Sequence, residues 1–520
     1  MSDDPARLAV WNALLASAAE EMGVTLWRTG HSPNIRERRD FSCAVFDAHG
    51  EMVAQAAHIP VHLGAMPESV AAVSALAPWS EGDVAIVNDP YLGGTHLPDV
   101  TLVGPVFAGG ALIGFVANRA HHADIGGMSA GSMPVATELY QEGVIIPPLK
   151  LREAGRLNEA LFALILRNVR TPAERRGDFD AQLGALQTGA ARLEALAARY
   201  GNAELARWMG ELTAYAERLT RAALSEVPDG EYRAEDVMER AGGGLLPIRV
   251  RVVVSGDEVT VDFAGSAGEQ PASINAVAAV TRSAVAYCVR CLLPGNAPSN
   301  AGVFRPIEVV LPEASIVNAR PQRAVSAGNV ETSQRVTDVV LAAFAQALPD
   351  RIPAASTGTM SNFTFGGVRP GGEPFAYYET VPGGAGAGPG GDGASGVQTH
   401  MTNTANTPAE SIESAFPVRV RRFELRDESG GEGLHRGGDG VVREIEFLTD
   451  ADVSLIGDRR AVGPPGTRGG EAAAHGENTL TRADGQREPL PGQHQLQAAA
   501  GDRIEVRTPG GGGWGKGART

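Results

Sequence analysis

The sequence is short of the features that would tie it to several common protein classes. Only three cysteines, Cys43, Cys288 and Cys291, occur in 520 residues, too few for the disulfide framework that holds small secreted domains together. A reducing, cytoplasmic setting is the expectation. No apolar run reaches the roughly 18 residues that a membrane-spanning helix needs, and Asp3 and Asp4 stand where a secretory signal would carry Lys or Arg. Positive charge is also scarce: 45 Lys and Arg face 61 Asp and Glu, a formal net charge of -16. Such a surface repels phosphate backbones and anionic lipid, so neither nucleic acid nor a membrane is an expected partner. A Gly-x-x-x-x-Gly-Lys-Ser/Thr loop is absent, as is a strand-placed Gly-x-Gly-x-x-Gly, so the chain shows no convincing ATP site of its own.

What is present is a globular composition. Hydrophobic residues make up 43% and charged residues 20%, enough apolar surface to bury and too much for disorder. The length implies about two to four domains. Pro5 after Asp4 starts a helix, in which Leu8, Trp11, Leu15, Ala18 and Met22 recur at steps of three and four. Strands are predicted over 41–46, 84–87, 100–107 and 111–118, with Gly109-Gly110 as a hairpin turn between the last two. From Pro172 two helical patterns flank Gly201-Asn202 and are expected to pack as an antiparallel pair. Strands over 248–254 and 258–263 and a helix over 276–291 mark a second α/β region. The glycine-rich run 383–396 lacks side chains for a core and must be a loop, either flexible or closely wrapped.

The fold class is therefore mixed α/β and multidomain. The expected division is an α/β domain over 1–170, a helical hairpin over 171–227, a second α/β domain over 228–415 and a β-rich region over 416–520.

Chemically capable side chains are densest between Asn88 and Glu142, in the runs Asn88–Asp99 and Arg119–Gly127. With Gly109-Gly110 as the turn, Ala108 pairs with Ala111, Pro98 faces His121 and Asp99 faces Ala120, so Asp99 and His121 are neighbours. Opposite Cβ atoms lie roughly 5 Å apart and diagonal ones, such as that of His96, about 7 to 8 Å away. Two imidazoles and a carboxylate at that spacing suit one Zn²⁺ or Mn²⁺ with positions left for water, the arrangement of a hydrolytic site. Asp40, at the mouth of the strand that begins at Phe41, is the candidate for a further carboxylate, with a capping or ion-pair role as its alternative. The plainer reading of His96, His121 and His122 is that they are ordinary polar residues at strand ends; the interleaving with Asp99 and Asp124 favours the metal.

Other patterns carry less. Cys288-Val-Arg-Cys291 has no second half and lies on an apolar helical pattern, so both cysteines are expected in the core. The polar islands Gly328–Thr332 and His400–Thr404 either reach a ligand or satisfy buried turns.

Several long runs resemble the hydantoinase B/oxoprolinase family: Asn88–Asp99, Arg119–Gly127, Ala136–Lys150, Gly328–Asp338, His400–Glu410 and the ending Thr508–Gly515. The resemblance covers essentially the whole chain. It implies the B-type subunit of an ATP-dependent hydrolase of cyclic amides, working in a hetero-oligomer with a hydantoinase A type ATP-binding partner. ATP is used at that partner, which phosphorylates the carbonyl oxygen of a lactam or hydantoin. The family's metal ligands fall on His96, Asp99 and His121, with Asp40 as a further one, and His122 and Asp124 become the acid/base candidates. The same resemblance includes subunits of acetone and acetophenone carboxylases, so ATP-dependent ketone carboxylation is the second expectation. A non-catalytic scaffold for the partner is the reading of another class.

Overall fold

In the computed structural model residues 4–56, 58–62 and 64–517 are described; Asp3, invoked above, lies outside them. The Asp4 side chain accepts a hydrogen bond from the Arg7 amide at 3.1 Å and Pro5 takes the first helical position, so α1 (Pro5–Thr29) begins where the sequence predicts. The other helices are α2 (Pro33–Arg36), α3 (Met66–Val73), α4 (Glu159–Arg167), α5 (Pro172–Tyr200), α6 (Asn202–Ser225), α7 (Ala278–Arg290), α8 (Ser333–Ala347) and α9 (Ala409–Ala415). None is long and apolar enough to cross a membrane among the described residues.

The N-terminal sheet contains β1 (Phe41–Phe46), β2 (Met52–Gln55), β3 (Val84–Val87), β4 (Asp99–Ala108), β5 (Ala111–His121), β6 (Leu149–Glu153) and β7 (Arg156–Leu157). Their order is β2-β1-β5-β4-β3-β6-β7. Gly109 and Gly110 form the β4–β5 turn with φ of 60° and 79°, values that glycine adopts without strain. One detail departs from the sequence reading. Val106 pairs with Gly114 but Phe107 with Leu112, so Ile113 is an extra residue and a bulge slips the register by one. Asp99 therefore pairs directly with His121 and Val100 with Ala120, where the unbroken hairpin had placed Pro98 and Asp99.

Helix α5 lies over this sheet. Gln182 donates to the Val100 carbonyl at 3.0 Å and to Asn118 Oδ1 at 2.9 Å. Its principal helical neighbour is α1, through Thr25 and Thr188, whose hydroxyls are 3.0 Å apart. The expected pairing of α5 with α6 is slight by comparison; the chain does break at Gly201, where φ is 86°, and Trp11 of α1 packs on both Tyr200 and Trp208. The apolar face of α5 is larger than one neighbouring helix would cover, so the sheet and α1 claim it.

Strands β8 (Gly230–Glu239), β9 (Leu245–Ser255), β10 (Glu258–Asp262) and β11 (Ile307–Val310) form a second sheet, ordered β11-β10-β9-β8, on which α8 packs alongside α7. This is the second α/β region. The largest apolar cluster runs from Trp11 to Ile456 and joins α1, α5, α6, α7 and α8 with one face of the first sheet and with the second sheet, without a gap near residues 170 or 227, while α3 packs with the other face of the first sheet in a smaller cluster.

The remaining strands are β12 (Asn362–Val368), β13 (Pro374–Thr380), β14 (Val418–Arg426), β15 (Gly440–Phe447), β16 (Ala451–Ile456), β17 (Glu477–Thr481), β18 (Arg487–Leu490), β19 (Gln493–Ala498) and β20 (Arg503–Arg507). They make sheets ordered β13-β12-β16-β19 and β14-β15-β20-β17-β18, which bury Phe363, Phe365, Phe447 and Ile504 between them. Because β12 and β13 share a sheet with β16, the β-rich part extends to the N-terminal side of residue 416.

The glycine-rich loop 383–396 is closely wrapped. Gly384 donates to Pro509 O at 3.1 Å, Ala387 to Gly512 O at 2.9 Å and Gly438 to Ala385 O at 2.9 Å. A Cβ at Gly384 or Gly511 would run into the carbonyl of Gly438 or Ala385, so backbone approaches backbone where no side chain fits. The two cysteines of the CxxC divide: Cys288 is buried, as expected, while Cys291, at the end of α7, is exposed.

Candidate metal centre

The strands bring a small set of polar side chains to one end of the first sheet. Asp99 opens β4 and His121 closes β5, opposite each other in the bulged register. His96 sits in the turn leading into β4, where the Asp99 amide donates to the His96 carbonyl at 3.1 Å. Asp40 precedes β1, the other neighbour of β5, and the His121 amide donates to its carbonyl at 2.9 Å. Residues from three separate stretches of the chain, Asp40, His96 with Asp99, and His121, are neighbours because three antiparallel strands have ends at the same level.

One ligand atom from each of His96, Asp99 and His121 lies within 4.8 Å of the others, and all three residues are buried. The rings of His96 and His121 stand nearly perpendicular, with centroids 5.0 Å apart. His96 Nε2 is 3.3 Å from Asp99 Oδ1, without the alignment of a hydrogen bond. Both ring nitrogens of each histidine are buried with no hydrogen-bond partner. Four such nitrogens in one place is costly, since each unsatisfied buried polar atom forfeits its hydration.

Asp99 is held from its other side. Its Oδ2 accepts from the Thr95 hydroxyl, from His62 Nε2 at 3.3 Å and from Asn329 Nδ2 at 3.4 Å. His62 Nδ1 is in turn 2.8 Å from Ser42 Oγ. Burial pushes the Asp99 carboxyl upward, but His96 and His62 beside it reverse this and hold it well below the usual carboxylate range. Burial drives His121 well below its ordinary value, so it is neutral, as a ligand imidazole must be. The Asp40 carboxyl is pushed up to about 6 by burial, which Arg38 at 3.7 Å only partly offsets and Asp99 reinforces. An anion in that position lacks positive charge.

Tyr378 of β13 lies over His121 with ring centroids 4.2 Å apart, and the Arg38 guanidinium covers the same tyrosine ring at 4.8 Å. Asp40, His62, His96, Asp99, His121, Asn329, Tyr378, Met401, Thr402 and Thr404 line a cavity of about 20 Å³. That is room for one ion or one water. The buried, partnerless imidazole nitrogens and the excess of carboxylate charge fit a divalent cation held by His96, Asp99 and His121, with Asp40 beside them.

Two expected site residues do not reach this cavity. Successive strand residues face opposite ways, so with His121 directed inward His122 points to the α5 side, where its ring packs 4.5 Å from that of Phe179 and its Nε2 is 3.0 Å from Gln182 Oε1. Asp124 is engaged by Arg170 at 2.9 Å and by the amides of Gly126, Gly131 and Arg170, which makes it the organiser of a turn. Neither His122 nor Asp124, the expected acid/base residues, lines the cavity. Conversely, His62 and Tyr378 were not singled out by the sequence, and no local pattern marks them. Asn329, within the Gly328–Thr332 island, is the member that reaches Asp99. Its neighbour Glu331 accepts from the Met360 amide and Asn362 Nδ2, both at 3.2 Å.

Comparison with known proteins agrees with this architecture. The family profile described as Hydantoinase B/oxoprolinase matches residues 4–517. The chain is 40% identical to 5-oxoprolinase 1 of Arabidopsis thaliana over 543 aligned residues, covering 98% of this chain but 42% of that protein. This chain therefore spans about two fifths of the length of that relative. It is 32% identical to the B-type subunit of a putative D-/L-hydantoinase from a Pseudomonas species, covering 98% of this chain and 90% of the relative. The crystal structure of ATP-dependent caprolactamase from Pseudomonas jessenii superposes with a TM-score of 0.92 at 31% identity, over 99% of this chain and 92% of that one.

Proposed function

This chain belongs to the hydantoinase B/oxoprolinase family, and from that premise we propose that it is the metal-dependent subunit of an ATP-dependent cyclic-amide hydrolase. Its partner is an A-type ATP-binding subunit that phosphorylates the carbonyl oxygen of a lactam or imide, and the centre where β4 begins and β5 ends completes ring opening. The observation that carries this reading is the buried convergence of His96, Asp99 and His121 with unpartnered ring nitrogens. Relatives named as 5-oxoprolinase, hydantoinase and caprolactamase support the substrate class.

An amide is a poor electrophile, and a phosphorylated carbonyl oxygen makes the carbon open to attack by water. A bound Zn²⁺ or Mn²⁺ would supply Lewis acidity, making water acidic enough to react near neutral pH. The chain's own residues do the rest. Thr95, His62 and Asn329 fix Asp99 Oδ2 and so turn Oδ1 toward the two imidazoles. Asp40 adds a second carboxylate from the neighbouring strand end. Tyr378 and Arg38 close the site on the β13 side and exclude bulk water.

The test is to mix the purified chain with an A-type partner, ATP, Zn²⁺ or Mn²⁺ and a panel of hydantoins and lactams. ADP release coupled to ring opening, abolished by a chelator and by His96→Ala, is the expected result. Absence of coupled turnover on every member of the panel, or full activity of His96→Ala, would overturn the assignment; the latter outcome is that of a scaffold.

A further inference from the structure

The cavity at the metal centre, about 20 Å³, has room for an ion, whereas pockets for small organic molecules run from about 300 to 1,000 Å³. A lactam ring reaches the centre only where part of this wall yields. Most of the wall is tied. Thr95, His62 and Asn329 hold Asp99, the Tyr378 hydroxyl donates to Asn362 Oδ1 at 2.8 Å, and the Thr380 and Thr404 hydroxyls accept from the Arg38 guanidinium at 3.0 and 3.3 Å. Ile59, Val61 and Val330 also line it, and side chains branched at Cβ are stiff about their first bond.

Met360 and Met401 are free of such ties. Both line the cavity and both are buried, and a methionine side chain is an unbranched thioether that repacks easily because three of its bonds rotate. Their backbones, by contrast, are fixed. The Met360 amide donates to Glu331 Oε1 at 3.2 Å and its carbonyl accepts from the Val381 amide at 3.0 Å, while the Met401 carbonyl accepts from the Val61 amide at 3.3 Å. Each is a soft side chain on a held main chain.

The chain beside them is strained. Ser361, which follows Met360, and His400, which precedes Met401, hold left-handed backbone with φ of 46° and 54°, a conformation that costs energy in residues other than glycine and gathers at functional sites. The same feature stands beside Asp40, where Arg39 has φ of 54°. Three segments of the wall thus place a strained residue next to the one that faces the cavity. A methionine that merely filled a core would need no such neighbour.

We infer that Met360 and Met401 determine specificity: their side chains swing aside to admit the ring of a cyclic amide, and the room they leave sets the largest ring that the centre accepts. The methylenes of a small aliphatic lactam lie against the two thioethers, an apolar match that a polar or charged ring substituent would spoil. The inference rests on the hydrolytic reading of the centre and deepens it, by naming ring size and apolarity as the properties selected.

The test uses the full chain at limiting concentration with the A-type partner in excess, ATP, Zn²⁺ or Mn²⁺, and 2-pyrrolidinone, ε-caprolactam and 2-azacyclononanone as substrates of rising ring size. The readout is kcat/KM for the largest ring relative to the smallest, a ratio in which the amount of folded protein cancels. Met360→Ala and Met401→Ala should each raise it at least tenfold. Met401→Leu conserves bulk and apolarity but branches and yields less, and should lower it; this variant keeps the test readable if the alanine variants do not fold. Metal affinity, measured by chelator competition, should stay within about twofold of the native value, and Met238→Ala, which alters a buried methionine outside the wall, should leave the ratio unchanged. An unchanged ratio in every folded variant of the two methionines, an equal change in Met238→Ala, or a loss of metal in step with the rate would each overturn the assignment. A native chain that opens no lactam at all would sink the hydrolytic reading and this inference with it, whereas turnover with an unaltered ratio sinks the inference alone.

Discussion

Replacing His121 with Ala separates a metal ligand from a merely buried histidine. In the native chain this ring is buried, neutral, partnerless at both nitrogens and packed 4.2 Å from Tyr378. Removing it relieves two unsatisfied nitrogens, each costing about 1–3 kcal/mol, and opens a cavity of comparable cost. The metal-free proteins should therefore melt within a few degrees of each other. Metal-induced stabilisation should differ sharply. An ion present at about 100 times its Kd stabilises the native state by about 2.7 kcal/mol. Loss of an outer-layer partner lowers metal affinity about 10- to 100-fold, so loss of a direct ligand lowers it at least about 100-fold. At the same ion concentration the variant then gains at most about 0.4 kcal/mol. Thermal unfolding with and without Zn²⁺ or Mn²⁺ reads this directly. An equal metal-induced rise in Tm for His121→Ala and the native chain would refute the proposed coordination.

The other expectations are more limited. His62→Ala removes one of three donors to Asp99 Oδ2 and should weaken metal binding by about 10- to 100-fold, measured by competition with a chromophoric chelator; unchanged affinity would show that Thr95 and Asn329 suffice. Asp124→Ala takes the carboxylate from Arg170 and three amides and should destabilise by about 3 kcal/mol or more while leaving metal affinity per folded molecule unchanged; a selective loss of metal would restore Asp124 to the site. Glu331 is raised by burial from 4.5 to about 8, so its folded state binds a proton that the unfolded chain has already released. Its contribution to stability is full below about 4.5 and is lost as pH rises through about 8, and Glu331→Gln should flatten the decline of Tm with pH over that interval. An identical pH profile in the variant would contradict the buried, protonated carboxyl.

Local chemistry made much of this protein legible in its sequence. The Asp4-Pro5 start, the glycine hairpin, the strands at Phe41 and Val84 and the break at Gly201 are set by neighbours within a few residues, through dihedral preference and the spacing of apolar side chains. The proximity of Asp99 and His121 followed from the same hairpin. What the hairpin could not reveal was its own bulge at Ile113, because an extra residue is accommodated by how the strand packs and not by any turn signal.

The remaining choices belong to the tertiary structure. His121 and His122 are indistinguishable in sequence, and the sides from which β13 and α5 approach the sheet decide that one faces the cluster and the other faces Phe179. His62, Asn329 and Tyr378 reach the centre from segments up to 282 positions from His96 in the numbering, and nothing near them in the chain announces it. Residue types and local spacing determined the ligands available; burial determined which would lose water, which would stay neutral and which would meet, since only packing of distant elements fixes those distances and that dielectric.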